Sequence, residues 1–135
     1  MGRCLRWRVV DLCMRGSGNL NVELAFWVKA NRFNALVQSE TRYHLSEIDI
    51  YQPDVSVVLG STLDPKNEGK ITIAPDLAVE VGSSETAERL NHKINALLNQ
   101  GTRAIVVVYP SDRQILVHRS EGFERVPFYG HTTSR

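Results

Sequence analysis

Apolar residues along this chain recur with two different periods, and the period separates strands from helices. Two-residue alternation or short apolar runs mark strands at Leu5–Leu12, Ala35–Tyr43, Val55–Leu59, Leu77–Val81, Ala104–Tyr109 and Gln114–His118. The run Ala104–Tyr109 has no polar break, as expected for a strand covered on both faces. Helical spacing appears twice. Leu20, Leu24, Trp27 and Val28 predict a helix from Leu20 to about Ala30, with Asn19 or Asn21 as its cap. Ala87, Leu90, Ile94, Leu97 and Leu98 form the apolar stripe of a second helix. That helix starts near Glu85, is capped by Ser83 or Ser84 and ends before Gly101. Turns fall at Arg15–Asn19, Asn31–Asn34 and Pro110–Arg113, with a polar connection at His44–Ile50 and a loop at Gly60–Lys70. The order is roughly βαβββαββ, one α/β domain over residues 1–135 with 131–135 as a frayed tail.

Length and composition narrow the function only by exclusion. A chain of 135 residues, 42% hydrophobic and 23% charged, has the size and balance of one soluble domain with a single core. A net charge of +1 gives no overall electrostatic drive toward nucleic acid or membrane; only Arg3, Arg6 and Arg8 cluster. No apolar run approaches the roughly 18 residues of a membrane span. Cys4 and Cys13 are too few for a disulfide scaffold, and without a signal peptide they read as reduced thiols of a cytoplasmic protein. The four histidines are scattered, which argues against zinc.

The informative feature is a phrase that occurs almost twice: QPDVSVVLGS at 52–61 and APDLAVEVGS at 74–83. Alternation puts Val55, Val57 and Leu59 on one face, with Asp54, Ser56 and Val58 on the other. In the second copy Leu77, Val79 and Val81 oppose Asp76, Ala78, Glu80 and Gly82. The apolar triplets are the natural core faces, so Asp54 and Glu80 are expected to turn away from the core. Ala78 and Gly82 would leave room for a bulky substrate beside Glu80. Asp76 and Glu80 lie four residues apart on one strand, about 13 Å, too far for direct binding of one ion at about 2.1 Å. Cross-strand neighbours have Cβ atoms only about 5 Å apart, so Asp54 and Glu80 can share a divalent cation. Asp76 is then a strand-opening residue, and Glu80 is the anomaly: a carboxylate in an apolar strand that must be paired, metal-bound or solvated.

The ordered set Pro53-Asp54-Val55, then Ala74–Ser83, then a helix with Lys93, then Gly101-Thr-Arg-Ala-Ile-Val-Val-Val-Tyr-Pro110, resembles the Uma-two family. That family comprises restriction-endonuclease-like proteins of the PD-(D/E)XK superfamily, and the likeness covers roughly Gln52–His118. It implies a mixed central β-sheet flanked by helices and Mg²⁺- or Mn²⁺-dependent hydrolysis of DNA phosphodiesters. Asp54, Glu80 and the Val81 backbone carbonyl would hold the metal, which lowers the pKa of bound water and offsets phosphate charge. The superfamily lysine usually stands two residues after the acid, here Gly82; in this family it is carried by the following helix, which points to Lys93. Its ammonium would orient the water or stabilise the pentavalent oxyanion. Lys93 falls about 100° from the centre of the apolar stripe, a boundary position from which its stem can run along apolar surface. Asn91, nearer the stripe centre, and Glu23, on the first helix, are accessory candidates.

This chain departs from the family pattern at Arg89, where an aspartate is usual, at Leu97 in place of tyrosine, and in lacking the family's tryptophan within Ala104–Val108. A degenerate member serving as a nucleic-acid or protein binding module is therefore the alternative to an endonuclease. Gly16-Ser-Gly18 before a helix is a weak phosphate-binding motif, since the third glycine is Asn21. Analogy with other nucleases of this class points to a homodimer.

Overall fold

A computed structural model describes residues 2–14 (2–5 and 14 by backbone only), 20–60, 72–82 and 85–126. Helices α1 (Gly2–Met14) and α2 (Leu20–Ala30) precede the edge strand β1 (Ala35–Ser39). A two-stranded ribbon, β2 (Tyr43–His44) and β3 (Ile50–Tyr51), leads into β4 (Val55–Leu59) and β5 (Leu77–Val81). Helix α3 (Ala87–Asn99) crosses to β6 (Ala104–Tyr109), and β7 (Gln114–Arg119) and β8 (Gly122–Val126) complete the sheet. Its order is β1-β4-β5-β6-β7-β8. Among the described strands of this sheet only the β5–β6 pair is parallel, as a strand–helix–strand crossover requires; the others are antiparallel.

Both faces of the sheet are covered. Val55, Val57, Leu59, Leu77, Val79, Val106 and Val108 pack with α1 and α2 in one apolar cluster. Ala78, Ile105 and Val107 point the other way and pack with Leu90, Ile94 and Leu97 of α3. Glu80 lies on the face turned away from the Val55–Val79 cluster, as the alternation indicated; α3 covers that face, and Ala78 is fully buried there rather than bordering open space. Val81 leaves the core instead and is exposed at the end of β5. The β2–β3 ribbon lies on this second face, where the Tyr43 hydroxyl meets Ser56 Oγ at 2.6 Å and Leu45 packs against the α3 cluster.

Three other expectations are corrected. The segment Leu5–Leu12 is part of α1, not a strand. Val9, Val10, Leu12 and Cys13 all enter one cluster, and a strand would send Val9 and Val10 to opposite faces. The strand starting at Ala35 ends at Ser39, because Glu40 takes a left-handed backbone (φ 50°) and diverts Tyr43 into the ribbon. The cap of α3 is Thr86, whose Oγ1 accepts from the Arg89 N–H at 3.2 Å. Ser83 and Ser84, the turn at 15–19 with its Gly16-Ser-Gly18 motif, most of the 60–70 loop and the tail at 131–135 lie outside the described residues.

Candidate active site

The antiparallel register of β4 and β5 pairs Val55 with Val79, Ser56 with Ala78 and Val57 with Leu77. Continued by one residue at either end, it sets Asp54 beside Glu80 and Asp76 beside Val58. The two Pro-Asp openings use this symmetry in the same way. Asp54 Oδ2 accepts the N–H of Val81, the last residue of β5, at 2.7 Å. Asp76 Oδ2 accepts the N–H of Leu59, the last residue of β4, also at 2.7 Å. Each aspartate clasps the end of the other strand. Asp76 also holds β6: its carbonyl accepts from Arg103 N at 2.9 Å, and Arg103 Nε lies 3.6 Å from Oδ1. The doubled phrase is thus a structural clasp, and the difference between its copies puts a carboxylate beside Asp54 and a valine beside Asp76.

Glu80 is buried but not alone. Lys93 Nζ stands 3.0 Å from Glu80 Oε2 and 3.0 Å from Glu85 Oε1. The Lys93 and Glu80 side chains are only 11% and 7% exposed. Lys93 therefore lies within the buried stripe of α3, between Leu90 and Leu97, rather than at its boundary. The Tyr51 ring approaches the ammonium, with 6.0 Å from Nζ to its centroid. Burial pushes the Glu80 carboxyl above the usual glutamate range; the hydrogen bond and charge of Lys93 oppose this, and the charges of Asp54 and Glu85 reinforce it. Burial alone would lower Lys93, but its hydrogen bonds to Glu85 and Glu80 and their charges outweigh that and raise it.

The site sets three carboxylates, those of Asp54, Glu80 and Glu85, against the one ammonium of Lys93. Two all-oxygen side chains from adjacent strands, in a site with an excess of carboxylates, suit a hard divalent cation such as Mg²⁺. Among the described residues no three His, Cys, Asp or Glu side chains form a complete set of ligands. Backbone oxygen, water or substrate would have to supply the rest, which is the usual habit of Mg²⁺. Gly82, two residues after Glu80, has φ +59°, a left-handed conformation that costs a non-glycine residue about 1–3 kcal/mol.

The accessory candidates are not brought to this site. Glu23 is exposed on α2, whose buried residues Leu20, Leu24 and Val28 pack on the sheet face opposite Glu80. Asn91 is exposed and lines a separate groove with Leu98, His118 and Phe123, because the stripe of α3 is rotated toward Lys93. Two neighbours of Lys93 escaped sequence reasoning. Glu85 lies in an irregular segment without periodicity, and Tyr51 lies in a two-residue strand. Both border an open cleft of about 610 Å³, with Ile50, Gln52, Arg89 and His92 among its other walls. The ribbon is fixed there by Asp49, which accepts from the Tyr51 hydroxyl at 3.4 Å and lies 3.7 Å from His92 Nε2.

A sequence model of the Uma2 family, described as "Putative restriction endonuclease", matches residues 15–134. Among solved structures, the chain is similar to a "putative nuclease belonging to DUF820" from Anabaena variabilis ATCC 29413. The two are 26% identical with a TM-score of 0.60 over 73% of this chain and 57% of the other, so this chain spans somewhat over half the length of that relative. No curated protein matches. Among the described residues no helix is long and apolar enough to cross a membrane.

Proposed function

We propose, from the premise that this chain belongs to the Uma2 family, that it is a Mg²⁺- or Mn²⁺-dependent endonuclease that hydrolyses DNA phosphodiesters. The observation that carries this reading is the convergence of Asp54, Glu80 and Lys93 at one end of the β4–β5 pair. The cation would be held by Asp54, Glu80 and the Val81 carbonyl, where it supplies an activated water and screens the phosphate.

The protein groups have distinct parts in this scheme. Asp54 is oriented by the Val81 N–H, which engages Oδ2 and would leave Oδ1 for the cation. Glu80, buried beside Asp54 and Glu85, belongs to a local excess of acids that a divalent cation would offset as a phosphodiester approaches. Lys93 carries a positive charge held against the same carboxylate, fixed by packing before substrate arrives. Such a charge stabilises negative charge developing on phosphoryl oxygens. Asp76, at the far end of β5, has no part in the chemistry.

The test is cleavage of supercoiled plasmid DNA with Mg²⁺ or Mn²⁺, against EDTA, by the full chain and its variants. Asp54→Ala and Glu80→Ala should each reduce cleavage to background, while Asp76→Ala protein that remains folded still cuts. Undiminished cleavage by Glu80→Ala would sink the reading. Loss with Asp76→Ala but not with Asp54→Ala would reverse the assignment.

A further inference from the structure

We propose that Glu85 is a positioning residue that receives the Lys93 ammonium when a divalent cation takes Glu80; this rests on the metal-site reading above. The structure gives Lys93 two acidic partners, each at 3.0 Å. Lys93 Nζ bridges them, its stem is enclosed by α3 and the sheet, and the Tyr51 ring stands on another side. Glu85 lies just before the Thr86 cap, so its backbone is tied to the first turn of the helix that carries Lys93.

This arrangement has a mechanical consequence. A cation bound to Glu80 competes with Lys93 for the same carboxylate and repels its charge. If Glu80 were the sole partner, cation binding would leave a buried ammonium unpaired, which is costly. With Glu85 already in contact, Lys93 gives up one hydrogen bond and keeps the other. It stays charged and at the edge of the site instead of swinging into the cleft. Glu85 thus acts through Lys93: it eases entry of the cation and holds the ammonium where a phosphoryl oxygen would meet it. It touches neither substrate nor cation.

The experiment is a double-mutant cycle in the full-length chain on Glu85→Gln and Lys93→Met, read by calorimetric titration with Mn²⁺ and by plasmid cleavage. Glu85→Gln should weaken Mn²⁺ about tenfold and lower kcat by a similar factor with KM for DNA unchanged, as for a coupled pair. In the Lys93→Met background, where cleavage is already lost, the same substitution should leave Mn²⁺ affinity unchanged. Glu85→Asp, which keeps the charge, should recover part of the loss. An equal loss of Mn²⁺ affinity in both backgrounds would overturn the proposal, since Glu85 would then act only as a nearby negative charge. So would Mn²⁺ affinity and kcat unchanged in Glu85→Gln, which would leave the metal-site reading standing. Wild-type protein that binds no Mn²⁺ would overturn both, and is told apart because the first titration already fails.

Discussion

Replacing Asp76 by alanine separates the two halves of the doubled phrase most sharply. In the wild type, Asp76 Oδ2 accepts the Leu59 N–H at 2.7 Å inside a nearly closed environment. Alanine leaves that amide without its acceptor, a loss of about 1–3 kcal/mol, near the upper end because the acceptor is a carboxylate. The Arg103 pair adds little: it is 3.6 Å long and the arginine side chain is 61% exposed, so solvent screening limits it to about 0.5 kcal/mol. The sum is about 2–3 kcal/mol, equivalent to a fall in Tm of roughly 8–12 °C for a domain of this size. Asparagine keeps an oxygen for the Leu59 amide, so Asp76→Asn should cost about 1 kcal/mol, and Arg103→Ala less still. Urea unfolding followed by circular dichroism measures this, with the midpoint moving and the slope constant. The reasoning fails if Asp76→Ala unfolds like the wild type, and fails doubly if that stable variant has lost Mn²⁺ binding.

Two further outcomes follow from burial and charge. The folded Glu80 carboxyl titrates above its unfolded value of about 4.3, so its favourable contribution is fully present below that pH and is lost as pH rises through the folded value. Metal-free wild type should therefore lose stability relative to Glu80→Gln as pH rises above about 4, in paired denaturation curves; a relative gain would contradict the burial argument. Burial also pushes the Cys13 thiol up to about 12. In a Cys4→Ser background, native protein at pH 8 should react with a thiol reagent only at the rate of unfolding, and rapid stoichiometric labelling would show the thiol to be open.

The central strands were legible in the sequence because their apolar alternation, or its absence in β6, is strong over five or six residues. The same alternation misled at α1. Arg6, Trp7, Arg8 and Val9 read as a half-buried strand, and only packing against α2 and the sheet selects the helix. Strand β8 was invisible because four of its five residues are exposed and backbone pairing with β7 is what makes it a strand. At the site, distance along and across strands was enough to join Asp54 to Glu80 and set Asp76 apart. The symmetric clasp was not foreseen, since a hydrogen bond from a side chain to a distant backbone amide leaves no periodic trace. Nor was the second partner of Lys93. A helix wheel centred on apolar residues alone put the lysine at the margin, whereas its pairing with Glu80 and Glu85 lets it enter the buried stripe.

The most direct test of the account is a crystal structure of the protein soaked in Mn²⁺, with anomalous density collected at the manganese edge. The account predicts one peak between the carboxylates of Asp54 and Glu80, near the Val81 carbonyl, with Lys93 Nζ withdrawn toward Glu85. A peak elsewhere with Lys93 still seated on Glu80, or no peak at saturating Mn²⁺, would contradict it.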